Sequence, residues 1–112
     1  MDVRTTEKID QTLAALADPY RRKVVDLLSV RPHQAGELAR ALSVPPPAMS
    51  RHLRALKKAG LVEESHPAFD ARVRIYALRP QPMVHLIAWL EATERLWSEQ
   101  LLAFKDHAEK AE

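Results

Sequence analysis

The chain contains no cysteine, which excludes a disulfide framework, a thiolate zinc site and a cysteine nucleophile together. Its only glycines are Gly36 and Gly60, too few for a glycine-rich phosphate loop. No stretch approaches the roughly 18 uninterrupted apolar residues of a membrane span. The opening MDVRTTEKID is polar, mixes both charge signs and has no apolar segment behind it, unlike a signal peptide. These absences set the expectation of a cytoplasmic protein without a membrane partner. What is present is globular in character: 112 residues, 46% hydrophobic and 29% charged, the size of a single domain over 1–112.

Acidic residues are missing where they would matter most. Between Leu38 and Val62 there is none, while Arg40, Arg51, Arg54, Lys57 and Lys58 all fall there. Residues 1–37 are neutral, 38–80 carry +5 and 81–112 carry −3, which together give the formal net charge of +2. A basic middle between a neutral start and an acidic end points to a polyanion-binding surface in the middle.

Apolar spacing outlines the elements. Ile9, Leu13 and Leu16 occupy one helix face within Thr5 to Ala17. Asp18-Pro19 supplies an N-cap and a first-turn proline, so a second helix follows, with Val24, Val25, Leu27 and Leu28 as its apolar set and Arg31-Pro32 as its end. A short helix is expected from His33 to Leu42 with Leu38, Ala41 and Leu42 inward, and Ser43-Val44 turns the chain. Pro45-Pro46-Pro47 opens the next helix, because the missing N–H groups of a first turn have no partner anyway. Met49, Leu53 and Leu56 keep its helical spacing, and Gly60 suits its left-handed cap. Residues 33–60 therefore read as a helix-turn-helix. Residues 61–79 read as a two-stranded hairpin, with Val73, Ile75 and Ala77 alternating with Arg72, Arg74 and Tyr76. From Met83 to about His107 the pattern is helical again.

The helix from Pro46 to Ala59 sets Met49, Leu53 and Leu56 on one side and spreads Ser50, Arg51, Arg54, Lys57 and Lys58 around the rest. A basic, acid-free helix after a tight turn suits the DNA major groove, where arginine pairs with guanine and lysine holds phosphates. The competing reading is a solvated helix face. Arg72 and Arg74 on the hairpin would lie along the backbone or in a narrow minor groove. The last helix carries more large residues than so small a core needs: Leu86, Trp89, Leu90, Trp97 and Leu101. Together with Ile9, Leu13 and Leu16 they form an expected homodimer interface, with 1–17 and 81–110 as the dimerisation helices.

Two longer runs carry a family likeness. Ala14-Ala15-Leu16-Ala17-Asp18-Pro19-Tyr20-Arg21-Arg22, followed by Val24-Val25-Asp26-Leu27-Leu28, resembles the opening of ArsR/SmtB-type winged-helix repressors. Ala48-Met49-Ser50-Arg51-His52-Leu53-Arg54-Ala55-Leu56, running into Ala59-Gly60-Leu61-Val62, resembles their recognition helix and the entry to the wing. The resemblance spans nearly the whole chain. It implies a mainly α winged helix-turn-helix with a two-stranded wing and a long terminal dimerisation helix, acting as a dimeric repressor on a palindromic operator in double-stranded DNA. It also implies Ser50, Arg51, His52 and Arg54 as DNA contacts, with Arg21 as a phosphate contact. Pro45-Pro46 replaces a Ser-Gln pair frequent in the family, which removes one source of adenine recognition, and the wing turn lacks the usual glycine.

Many members of that family sense metals. Here the thiolate site would fall near Gln34, Gly36 and Ala39, none a soft ligand. His85 and His107 lie roughly 33 Å apart along a helix. A set assembled across a dimer from His33, His66, His85 or His107 is the remaining route, and neither a metal nor a cofactor is expected. Ser50 and His52, two apart on a helix, point in different directions and form no nucleophile–base pair, so no enzyme is expected. The rival to a DNA-binding regulator is a dimeric protein-interaction module that keeps the fold without specific DNA binding. A small-molecule effector between the terminal helices is a further variant.

Overall fold

The computed structural model describes residues 2–111, so Met1 and Glu112, the outer ends of the domain expected over 1–112, lie outside the described residues. Five helices and three short strands follow one another: α1 (Val3–Leu16), α2 (Pro19–Val30), β1 (His33–Gln34), α3 (Ala35–Ala41), α4 (Pro46–Lys58), β2 (Val62–Ser65), β3 (Ile75–Leu78) and α5 (Gln81–Ala111).

The helix ends follow from local chemistry. Asp2 caps α1 by accepting the Thr5 N–H at 2.8 Å. Asp18 caps α2 through the N–H groups of Tyr20 (2.8 Å) and Arg21 (3.2 Å), with Pro19 in the first turn. Pro45 takes the cap position of α4 and Pro46 and Pro47 its first turn, so the first intrahelical bond there is Met49 N–H to the Pro45 carbonyl at 3.0 Å. Helix α4 closes with paired bonds from Gly60 to Lys57 (3.0 Å) and from Leu61 to Leu56 (3.0 Å), with Gly60 at φ 79°. Helix α3 closes in the same way, Ser43 to Arg40 (3.3 Å) and Val44 to Ala39 (2.9 Å), but with Ser43 at φ 52° in the place that favours glycine. That serine makes the turn between the two helices.

Three expectations change. The sheet has three strands in the order β1-β3-β2 rather than two, because His33 and Gln34 pair with Tyr76 and Ile75 before α3 begins. The second wing strand is shorter than the alternation from Ala71 suggests: residues 71–72 turn, held by the Asp70 carboxylate accepting the Arg72 N–H at 2.9 Å, and 73–74 are irregular. Within it the buried member is Tyr76, whose ring joins the core, while Ile75 and Ala77 are only half-buried. On α3 the buried pair is Leu38 and Ala39, and Ala41 is exposed.

The core gathers one face of α2, α3 and α4 together with the sheet and its entry: Val24 and Leu28, Leu38 and Ala39, Met49, Leu53 and Leu56, then Leu61, Val62 and Tyr76. A fully buried leucine such as Leu53 or Leu56 contributes roughly 1.5–3 kcal/mol by leaving water, so α4 is clamped by its apolar face. Helix α1 packs on α5, with Ile9 and Leu86 buried. From Glu94 to Lys110 every residue of α5 is exposed, so the helix runs out past the body and the molecule reaches 68 Å in its longest dimension.

Candidate nucleic-acid interface

Helix α4 divides into four faces by its 100° step. Met49, Leu53 and Leu56 fill the core. Directly opposite, Arg51, Arg54 and Lys58 form an exposed stripe spaced three and four residues apart, and none of them makes an ion pair among the described residues. The two flanks carry the remaining polar residues, and these are engaged within the molecule.

The flank toward the sheet holds Ser50 and Lys57. Lys57 Nζ donates to Glu64 Oε2 at 2.8 Å, the Tyr76 hydroxyl donates to Glu64 Oε1 at 2.9 Å, and Arg74 donates to the Tyr76 hydroxyl at 3.4 Å and to Ser50 Oγ at 3.3 Å. The guanidinium of Arg74 also lies 6.0 Å from the Tyr76 ring centre. Glu64 is the hub. The Lys57 ammonium and then the Tyr76 hydroxyl hold its carboxyl below the usual range, while burial and then the bond to Glu64 push the Tyr76 phenol up. Ser50, Lys57 and Arg74 thus tie the wing to α4. Arg72 instead stands out on the wing, its side chain 92% exposed and paired with Asp70 at 3.2 Å.

The opposite flank faces α1 and α2. His52 stacks on Tyr20 with ring centres 5.9 Å apart, and its Nδ1 lies 4.0 Å from Asp18 Oδ1. Burial raises the Asp18 pKa, but the N–H groups of Arg21 and Tyr20 outweigh it and the carboxyl sits below its ordinary value. Arg21 donates through Nε to the Ala15 carbonyl at 2.6 Å and through Nη2 to the Ala14 carbonyl at 3.3 Å, closing the end of α1. It is half-buried beside α4 rather than on the exposed stripe.

Sequence reasoning missed Glu64 and Tyr76. They face each other across β2 and β3, and only that register brings an acid of one strand to a phenol of the other. Of the other histidines, His33 Nδ1 contacts the Arg31 carbonyl at 2.8 Å and His66 Nδ1 the Val73 carbonyl at 2.9 Å. Among the described residues no three His, Asp or Glu side chains gather to hold a metal ion.

A helix-turn-helix whose second helix exposes arginines, braced by a sheet-borne wing, defines the winged helix-turn-helix class of DNA-binding domains. A family model described as a helix-turn-helix domain matches residues 16–65. The chain is 41% identical over 95 residues to the HTH-type transcriptional regulator Rv2034 of Mycobacterium tuberculosis, covering 85% of this chain and 83% of that protein. It is 34% identical over 82 residues to the transcriptional repressor SdpR of Bacillus subtilis, covering 73% and 88%. A solved ArsR family transcriptional regulator superposes with a TM-score of 0.74 at 31% identity, over 83% of this chain and 93% of that one.

The chain belongs to the ArsR family of winged helix-turn-helix regulators. It is a DNA-binding transcriptional regulator and not an enzyme. No described helix is long and apolar enough to cross a membrane.

Proposed function

We propose that the protein is a cytoplasmic repressor that binds a palindromic operator as a homodimer, its whole length acting as one unit. The observation that carries this reading is the stripe of Arg51, Arg54 and Lys58 on α4, exposed, acid-free and opposite the core. Arg51 and Arg54 lie in the N-terminal two-thirds of α4, the part of a recognition helix that meets base edges, so they read bases. Lys58 at the far end of the stripe and Arg72 on the wing hold phosphates. Ser50, Lys57 and Arg74 contact DNA only at the edge of the wing–helix network and mainly set the angle between the two. His52 and Arg21 act from behind, by holding α4 and α1 in place. Kinship with SdpR, a transcriptional repressor, supports repression over activation.

The dimer seam on this reading is the exposed face of α5 and α1. Leu13, Leu90, Trp97 and Leu101 are all exposed, with Leu96 and Phe104 beside them. Leu16 and Trp89 are half-buried at its edge, whereas Ile9 and Leu86 are buried within the protomer and contribute by holding α1 on α5. Two copies joined there would set their α4 helices for half-sites about one DNA turn apart.

Selection of duplexes from a random pool, followed by titration of the winner against scrambled DNA at several salt concentrations, tests the proposal. The expected winner is a near-palindrome bound ~1000-fold tighter than scrambled DNA, with a salt slope of about −0.9 per phosphate contact. Failure to enrich any sequence, with binding lost near physiological salt, would overturn it in favour of a protein-interaction module.

A further inference from the structure

A groove runs between α1 and α4 and ends against the start of α5, touching the core-opposed stripe of α4 only at Lys58. It consists of two adjoining cavities of about 290 and 390 Å³ that share Gln11, Lys58 and Ala59. The floor is apolar: Ala14, Ala15, Ala55 and Ala59, closed at one end by Pro82. Gly60 belongs to that end, since a β-carbon placed there would lie 3.7 Å from the Pro82 ring. The rim is cationic. Lys8, Arg79 and Lys58 line it, with Arg21 in the larger cavity and His85 in the smaller, and no acidic side chain lines either cavity. Lys8, Lys58 and Arg79 make no ion pair among the described residues.

We infer that this groove binds a small organic anion with an apolar body, the alanine floor covering the body and Lys8, Lys58 and Arg79 meeting its carboxylate or phosphate. Small-molecule sites combine an apolar lining with a few convergent polar groups in volumes of roughly 300–1,000 Å³, and the two cavities together fall in that class. Unpaired cations without a nearby acid select an anion over a neutral molecule of the same shape. A ligand seated there touches the recognition helix through Lys58 and Ala59, α1 through Lys8 and Gln11, and the first turns of α5 through Gln81 and His85. The inference concerns the groove alone and does not rest on the operator or on the dimer.

The same cations have a second source of anionic ligand, the phosphates of DNA, and the experiment separates the two. The full-length protein is titrated with naphthoate, with naphthamide and with inorganic phosphate while backbone amide NMR signals are followed. Saturable shifts at Gln11, Lys58, Ala59 and Gly60, with naphthoate binding about tenfold or more tighter than naphthamide, are the expected result. The double variant Lys8→Gln, Arg79→Gln should weaken naphthoate about tenfold and leave DNA affinity unchanged. Both side chains are exposed, and retained dispersion of the amide signals establishes that the variant is folded. Equal binding of acid and amide, shifts centred on the Leu96–Trp97 surface of α5, or phosphate matching naphthoate would each overturn the assignment. Loss of DNA affinity in the variant, with no saturable naphthoate binding, would assign the cations to DNA phosphates instead.

Discussion

Replacing Tyr76 by Phe removes one oxygen from the centre of the wing–helix network and nothing else. Tyr76 as a whole is 3% exposed and its ring stays in the core, so no cavity opens. The loss is the 2.9 Å bond from the hydroxyl to Glu64, together with the longer contact from Arg74. A hydrogen bond to a charged group contributes ~1.5–3 kcal/mol. The lower end applies, because Glu64 keeps Lys57 and its side chain is still 18% exposed to water. With a urea m-value near 1.5 kcal/mol/M for so small a protein, a loss of about 1.5 kcal/mol lowers the unfolding midpoint by about 1 M. The assay is urea denaturation followed by circular dichroism at fixed protein concentration, since self-association would otherwise shift the midpoint. A cycle with Glu64→Gln should return a coupling of at least about 0.5 kcal/mol. A midpoint change below about 0.3 M at unchanged m, or a coupling near zero, would refute the view that Glu64 and Tyr76 join the wing to α4.

Other outcomes follow from the same geometry. Ser43→Gly relieves a left-handed residue, worth about 1–2 kcal/mol, against an added unfolded-state entropy of about 0.5–1 kcal/mol; thermal melting should show a net gain of roughly 0.5–1 kcal/mol, whereas Ser43→Val should destabilise. Arg54→Ala should cost ~1–3 kcal/mol on the selected operator and much less on scrambled DNA, while Lys58→Ala should weaken both similarly; equal losses for the two variants on both duplexes would contradict the division between base and phosphate contacts. Glu64 has its folded-state pKa depressed by Lys57 and Tyr76, so its stabilisation is complete above the unfolded value near 4.5 and fades as pH falls through the lower folded value. Chemical denaturation between pH 7 and pH 3 should therefore show a shallower acid loss for Glu64→Gln than for the parent. If the proposed dimer forms through α5, Trp97→Lys places a charge on its exposed seam, and sedimentation should show the parent as dimer and the variant as monomer with the circular dichroism spectrum retained.

Much of the fold was legible because the signals that carry it are local. The caps at Asp18-Pro19 and Gly60, and the prolines that open α4, act within one turn of chain, and each stands where its chemistry predicts. The apolar periods of α1, α2, α4 and α5 likewise need no knowledge of distant residues. Ser43 is the local exception: nothing in a serine announces a left-handed conformation, and the pairing of its N–H with Arg40 and that of Val44 with Ala39 imposes it. The third strand was illegible for a different reason. Two residues, His33 and Gln34, become a strand only because β3 lies beside them.

The candidate interface divides along the same line. That α4 is basic and free of acid is a property of the sequence, and so is its apolar face, since a fixed helical step turns spacing into direction. Which of its polar residues remain free is a property of the tertiary structure. Lys57 meets an acid seven positions away across a glycine turn, Ser50 meets an arginine from the far side of the wing, and His52 meets a tyrosine from α2. Sequence alone thus determined a winged helix-turn-helix with a basic recognition helix, and only the packing decided that its exposed stripe is Arg51, Arg54 and Lys58. Periodicity fixes where a side chain points along its own helix, whereas a hydrogen bond or ion pair depends on what another element brings within reach.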